Sequence, residues 1–201
     1  MFILASSSPR RKDLLTAAGY VFEVIVPDVS EYEDPGGSAE DLTRSNAKLK
    51  GLTVSLDHPD RVVLGADTLV TIDGKVLSKP ADMAEARSML KQLSGRTHQV
   101  ITSVVVLRRG SDKMFAVTTA VTFRPLTDEQ IDHYLTLINP LDKAGAYAAQ
   151  EHGEFIIESV EGSWTNVVGL PMEAVANYLE TMGIPRPVAP ATNDKSSQTP
   201  I

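Results

Sequence analysis

The chain of 201 residues has no cysteine, which excludes a disulfide framework, a thiolate metal site and a cysteine nucleophile. Aromatic residues are scarce at 5%, with a single tryptophan, so the core must rest on aliphatic side chains. No apolar run approaches the roughly 18 to 20 residues of a membrane-spanning helix. Met1 leads directly into Phe2-Ile3-Leu4 with no basic n-region, so no secretory signal is expected and the cytoplasm is the expected compartment. Basic residues are outnumbered: 19 Lys and Arg against 26 Asp and Glu leave a net charge of −7. That balance argues against a nucleic-acid partner, since phosphate neutralisation needs a basic face. Any metal must be held by oxygen or imidazole, and the histidines, His58, His98, His133 and His152, lack metal-ligand spacing, so a zinc site is not expected. Also missing are a P-loop, a Gly-x-Gly-x-x-Gly fingerprint and a Gly-x-Ser-x-Gly elbow.

What is present suits one sizeable domain or two small lobes, with 42% hydrophobic residues. Strands are predicted over residues 2–4, 22–26 and 62–64, the last an all-apolar run that stops at Gly65-Ala66-Asp67. Asp73-Gly74 signals a type I′ turn between strands at 69–72 and 75–77. An antiparallel pair is predicted at 100–107 and 114–123, with further strands at 155–160 and near Val167. Helices are predicted after Ser8-Pro9, with Leu14, Leu15 and Ala18 on one face, then from Ser38 toward Lys50 and over 82–93. Two more follow, one capped by Thr127 and Gln130 and one running from Pro171 to Gly183. Residues 185–201, proline-rich with little to bury, are expected to form a disordered tail. The order fits an α/β domain over residues 1–184 with a mixed sheet and two lobes around a cleft.

Several residues point to anion chemistry. Ser8 as N-cap and Pro9 at the first helical position place Arg10 and Arg11 in the first turn, against the helix dipole. An anion resolves that conflict, because Ser6 and Ser8 offer hydroxyls, the helix offers N–H groups, and guanidiniums grip phosphate in a bidentate way. Otherwise the pair is a solvated patch. Asp67 follows a buried strand, where α/β folds bind ligands, although an aspartate there also suits a turn. Glu31, Glu33 and Asp34 form an acidic stretch that either holds Mg²⁺ or faces solvent. Lys50 and Lys79 are ordinary surface lysines unless a cleft gathers them. Small residues over 142–150 permit close backbone approach, and Gln150 matches the acceptor and donor edge of uracil or thymine. Trp164 reads as a packing residue.

The stretches Leu4-Ala-Ser-Ser-Ser-Pro-Arg-Arg11, Gly65-Ala-Asp-Thr68, Lys79-Pro80, Leu93-Ser-Gly-Arg-Thr-His98, Asp142-Lys-Ala-Gly-Ala-Tyr147 with Gln150, and Asn166-Val-Val-Gly-Leu-Pro171 together resemble the Maf family of nucleoside triphosphate pyrophosphatases. The resemblance implies an α/β fold with a central mixed β-sheet flanked by helices, two lobes around a nucleotide-binding cleft (Maf/ITPase-like), and a homodimer. It implies cleavage of a nucleoside triphosphate between the α and β phosphorus atoms with a divalent cation, Mg²⁺ or Mn²⁺. Carried over, Asp67 is the proton acceptor, and Glu31, or its neighbour Glu33, joins Asp67 in positioning metal or water. Arg11, Lys79 and Lys50, or its neighbour Lys48, hold the triphosphate, with Ser6, Ser8 and Arg10 beside them. Arg10, Thr68 and Gln150 fall where the family sets base specificity. The Asp142 to Gln150 segment resembles the branch acting on dTTP and UTP, and implies modified pyrimidine nucleotides and cell-division arrest as further roles. Ser7 stands where the family often has glycine, and Trp164-Thr165 replaces a commoner aromatic pair. The alternative reading is a non-hydrolytic nucleotide-binding regulator of cell division, which needs the same cations but not Asp67.

Overall fold

The computed structural model describes residues 1–33 and 37–187. Asp34 and most of the expected tail, from residue 188 on, lie outside them. The strands are β1 (Phe2–Ala5), β2 (Phe22–Ile25), β3 (Val63–Ile72), β4 (Lys75–Leu77), β5 (Thr97–Arg108), β6 (Ser111–Phe123) and β7 (Ile157–Glu161). They form one mixed sheet in the order β2-β1-β3-β5-β6-β7, with β4 also on β3. β1 runs parallel to β2 and β3, and all other pairings are antiparallel. The helices are α1 (Pro9–Ala17), α2 (Ala39–Asp57), α3 (Met83–Leu93), α4 (Asp128–Leu137), α5 (Trp164–Val168) and α6 (Met172–Thr181). None of them is long and apolar enough to cross a membrane.

Local chemistry accounts for most boundaries. Ser38 and Asp41 form a capping box on α2, and Thr127 with Gln130 forms one on α4. Asp82 caps α3 through the Glu85 N–H, while the Glu85 carboxylate reaches one residue further back, to Ala81 N. Asp73 and Gly74 both take positive φ, 52° and 74°, as the β3–β4 hairpin turn requires.

The long strands β3, β5 and β6 pass through two lobes. In one, Val70, Leu90, Val100, Phe123 and Tyr134 pack under α3 and α4. In the other, α1 and α6 cover one sheet face through Phe2, Leu4, Leu15, Leu64 and Leu179, and α2 covers the opposite face through Ile3, Val54, Val63 and Val105. The mixed two-lobed α/β architecture expected from the sequence is the one observed.

Four local expectations are corrected. The run at 62–64 does not stop at Gly65-Ala66-Asp67: β3 continues without a break to Ile72, so Asp67 lies in mid-strand. The segment near Val167 is the short helix α5, capped by Ser163, rather than a strand. Ala18 is the exposed C-cap of α1, and Trp164 is 46% exposed rather than a core residue.

Gly65 is present for close approach, not for a turn. A Cβ there would stand 2.7 Å from the Ala47 carbonyl oxygen and 2.8 Å from Gly51 N, and one at Gly51 would stand 2.7 Å from Val105. The two glycines therefore let α2 lie directly on β3 and β5. β1 stops at Ala5, paired with Gly65, and β4 joins only at Val70. Residues 66–69 of β3 are thereby left with a free edge between β1 and β4. Gly65→Ala is expected to lift α2 and destabilise the protein by about 1–3 kcal/mol through overpacking, read as a lower urea midpoint. An unchanged midpoint would mean that α2 can move away at no cost.

Candidate active site

The free edge of β3 opens on a cleft of about 640 Å³ between the lobes. Ser6, Ser8, Arg10, Arg11, Glu31, Glu33, Lys50, Asp67, Thr68, Lys79 and Gln150 all line it. Lys48 does not, and is exposed, so the structure brings Lys50 rather than Lys48 to the cleft. Alternation along β3 turns Asp67 toward α2 and Thr68 toward α1 and α5.

At the centre, Lys50 Nζ donates to Asp67 Oδ1 at 2.7 Å and to Glu31 Oε2 at 2.6 Å. Lys50 lies on the buried face of α2 with Leu42, Asn46 and Val54, which carries its ammonium between the carboxylates. Glu31 reaches it because Asn46, itself 3% exposed, clasps the loop: its Oδ1 accepts from Tyr32 N at 2.8 Å and its Nδ2 donates to Tyr32 O at 3.0 Å. Asn46 was missed as a functional residue in the sequence. A polar residue on an otherwise apolar helix face, four positions before Lys50, is the signal that could have found it. Among the described residues Glu33 makes no ion pair, so Glu31 is the carboxylate that meets Lys50.

Burial pushes the Asp67 carboxyl above its ordinary value of 3.8, outweighing the opposing pull of Lys50 and Arg11. Glu31 moves the other way: burial raises it, but the hydrogen bond and charge of Lys50, with help from Lys79, leave it below its ordinary range. The second Asp67 oxygen, Oδ2, is buried and has no hydrogen-bond partner among the described residues.

Arg11 is 7% exposed and largely committed to the protein. Nε donates to Gly169 O at 2.9 Å, Nη1 to Ala66 O at 2.9 Å and to Ser6 Oγ at 3.3 Å, and Nη2 to Thr68 Oγ1 at 3.0 Å. Ala66 lies one residue past the last β1–β3 pair, so Arg11 takes up a carbonyl that β1 leaves unpaired. One Nη2 proton is left for a ligand. Ser6 Oγ also accepts from Ser8 N at 3.1 Å, fixing the serine turn. Arg10 reaches across the cleft mouth to the Asp142 carboxylate at 3.4 Å. Lys79 is exposed and, among the described residues, pairs with no carboxylate. Gln150 is exposed, its amide donating to Glu151 at 3.2 Å.

A divalent cation fits this donor set. Among the described residues no group of three or more His, Asp or Glu side chains is placed to hold a metal alone. Mg²⁺ commonly takes one or two carboxylates and completes its shell with water and phosphate oxygens. The unpartnered Asp67 Oδ2 beside the Glu31 carboxylate offers that pair.

A mixed sheet with cations and carboxylates gathered at a free strand edge defines a two-lobed α/β protein built to hold an anionic ligand. The structure of the Staphylococcus aureus Ham1 protein has the same fold, with a TM-score of 0.53 and 16% identity, covering 90% of this chain and 98% of that one. Residues 1–182 match the family described as Maf-like protein, and the chain belongs to the Maf family. It is 49% identical over 181 residues to the dTTP/UTP pyrophosphatase of Akkermansia muciniphila, covering 90% of this chain and 96% of that protein. It is 46% identical over 183 residues to the dTTP/UTP pyrophosphatase of Symbiobacterium thermophilum, with 91% and 94% covered. A Bacillus anthracis protein of the same name is 43% identical over 182 residues, with 90% and 95% covered.

Because its pKa is raised, Asp67 in the ligand-free protein should take up a proton at a higher pH than an ordinary aspartate as acid is added. Lys50→Met, which removes a charge that favours the ionised form, should raise the titration further. Carbon-13 NMR of the aspartate carboxyls reads both, and a midpoint at or below 3.8 would contradict the burial argument.

Proposed function

We propose that this chain hydrolyses dTTP and UTP to the nucleoside monophosphate and diphosphate, water attacking the α phosphorus. The observation that carries the reading is Asp67: a buried carboxylate in the cleft, with one oxygen held by Lys50 and the other without a partner among the described residues. Its raised pKa makes it a stronger base than a free aspartate, matched to taking the proton of a water as the new P–O bond forms. Lys50 fixes the direction of that carboxylate. As the bond from Pα to the bridging oxygen breaks, charge builds on the diphosphate, and cations already in place meet it without reorganisation. Lys79 and the free Nη2 proton of Arg11 are the groups available for this task, with Ser6 and Ser8 shaping the turn beside them.

When bound between Asp67 and Glu31, Mg²⁺ or Mn²⁺ would neutralise phosphate charge and acidify a coordinated water. Arg10, Thr68 and Gln150 face the cleft near the segment that reads the base, and Gln150 can pair with the O4 acceptor and N3–H donor of uracil or thymine. Residues 1–184 form the catalytic unit on this reading, since the cleft-lining residues among those described all lie at or before Gly169. Modified pyrimidine nucleotides that keep the same edge fit the same recognition, which would exclude them from nucleic acid.

Asp67→Asn should lower kcat for UTP by roughly 10² to 10⁴, the usual contribution of a positioned general base, measured below a melting temperature that should itself fall because buried Lys50 loses one of its two carboxylate partners. In H₂¹⁸O the label should appear in UMP and not in diphosphate. UTP recovered intact after incubation with Mg²⁺ or Mn²⁺ would favour a nucleotide-binding regulator instead.

A further inference from the structure

The wall of the cleft that carries Gln150 is held in place from outside the cleft. Upstream of it Gly145 and Ala146 are consecutive left-handed residues, with φ of 69° and 60°. Alanine avoids that region because its Cβ crowds the following carbonyl, so local preference does not set the path of this segment. Gly145 is further confined because a Cβ there would stand 3.1 Å from Val70. Immediately downstream, Ala148 is 3% exposed and belongs to no helix or strand. Its two backbone groups are both satisfied by one side chain on α4. Tyr134 Oη donates to Ala148 O at 3.2 Å and accepts from Ala148 N at 3.1 Å. Tyr134 is itself 1% exposed and lies in the core beneath α3 and α4, outside the cleft lining.

We propose that Tyr134 is a specificity-positioning residue: its hydroxyl, bonded to both backbone groups of Ala148, fixes the segment from Tyr147 to Gln150 that faces the nucleotide base. It touches no substrate and acts through Ala148, two residues from Gln150. The inference rests on the reading of Gln150 and its neighbours as the base-contacting wall. Removing the hydroxyl leaves both Ala148 groups buried without partners, and a segment with left-handed residues upstream has nothing local to restore its course. Phosphate contacts come from other elements, so the change should fall on the choice of base rather than on the triphosphate. UTP and CTP are the discriminating pair, because they are alike in size while their O4/N4 and N3 positions exchange donor and acceptor.

The test uses the full chain and compares kcat/KM for UTP and CTP in the wild type, Tyr134→Phe and Gln150→Leu. The phenylalanine keeps the ring packing, and the ratio of the two substrates is independent of how much enzyme is folded, so lost stability alone does not move it. The ratio in favour of UTP should fall by about tenfold in Tyr134→Phe, in keeping with one misaligned hydrogen bond, and by as much or more in Gln150→Leu. A ratio that falls in Gln150→Leu but stays at the wild-type value in Tyr134→Phe overturns the inference and leaves the base reading intact. A fall in Tyr134→Phe alone supports it and assigns the base contact to another residue of the clasped segment. No preference for UTP in the wild type, or no change in either variant, overturns both.

Discussion

Withdrawing an ammonium group from water costs on the order of several kcal/mol unless oppositely charged partners meet it at close range. Lys50 is 8% exposed and satisfies that condition with two carboxylates at hydrogen-bonding distance. The arrangement demands that three parts of the chain converge: the loop after β2, the middle of α2 and the middle of β3. Two glycines remove the side chains that would hold α2 away from the sheet, and Asn46 ties the loop to α2. Lys50 shares the two carboxylates with the charges of Arg11, which acts on Asp67, and of Lys79, which acts on Glu31, so acids and bases are gathered in one cleft before any ligand arrives.

The cleft itself follows from unequal strand lengths. β1 has four residues and β3 has ten, so β3 outruns its neighbour and leaves backbone groups without a ladder partner. Arg11 answers this by donating to the Ala66 and Gly169 carbonyls. The oddity of two arginines at a helix N-terminus therefore has a second explanation beside an anion. The guanidinium of Arg11 points away from its own helix dipole and toward oxygens on β3 and after α5. Arg10, held among the described residues only by long contacts to Asp142, is the one of the pair with more freedom to engage a ligand.

Element types were largely readable from the chain because caps and periodicity agreed with the packing: Ser38, Asp82 and Thr127 all open helices, and Asp73-Gly74 makes its hairpin. The failures have physical causes. Gly65 resembled a strand end because glycine is poor in strands, whereas its role is set by the α2 backbone at Ala47 and Gly51. Val167 and Val168 suggested a strand by composition, but Ser163 caps a helix there and tertiary context prevailed. Arg11 and Asp67 were legible through their motifs, while Glu31 and Lys50 came from the family resemblance, with Glu33 and Lys48 as open alternatives. The supporting groups were harder to see, since Asn46 and Tyr134 act on the backbone of Tyr32 and Ala148, far from them in the chain, and only Asn46 leaves a trace, in its spacing from Lys50.

The packing of α6 also bears on how the protein is made. Sheet order follows chain order closely from β3 outward, so strands can add one after another as they emerge from synthesis. The first strand and first helix cannot finish so early. Phe2, Leu4 and Leu15 share one core cluster with Val175, Leu179 and Met182, so this part of the core is completed only when α6 has been made. At about 5–20 residues per second of translation, that surface stays open for on the order of ten seconds or more. A message truncated before α6 would yield a protein whose β1 face keeps the cover of α1 but lacks that of Val175, Leu179 and Met182.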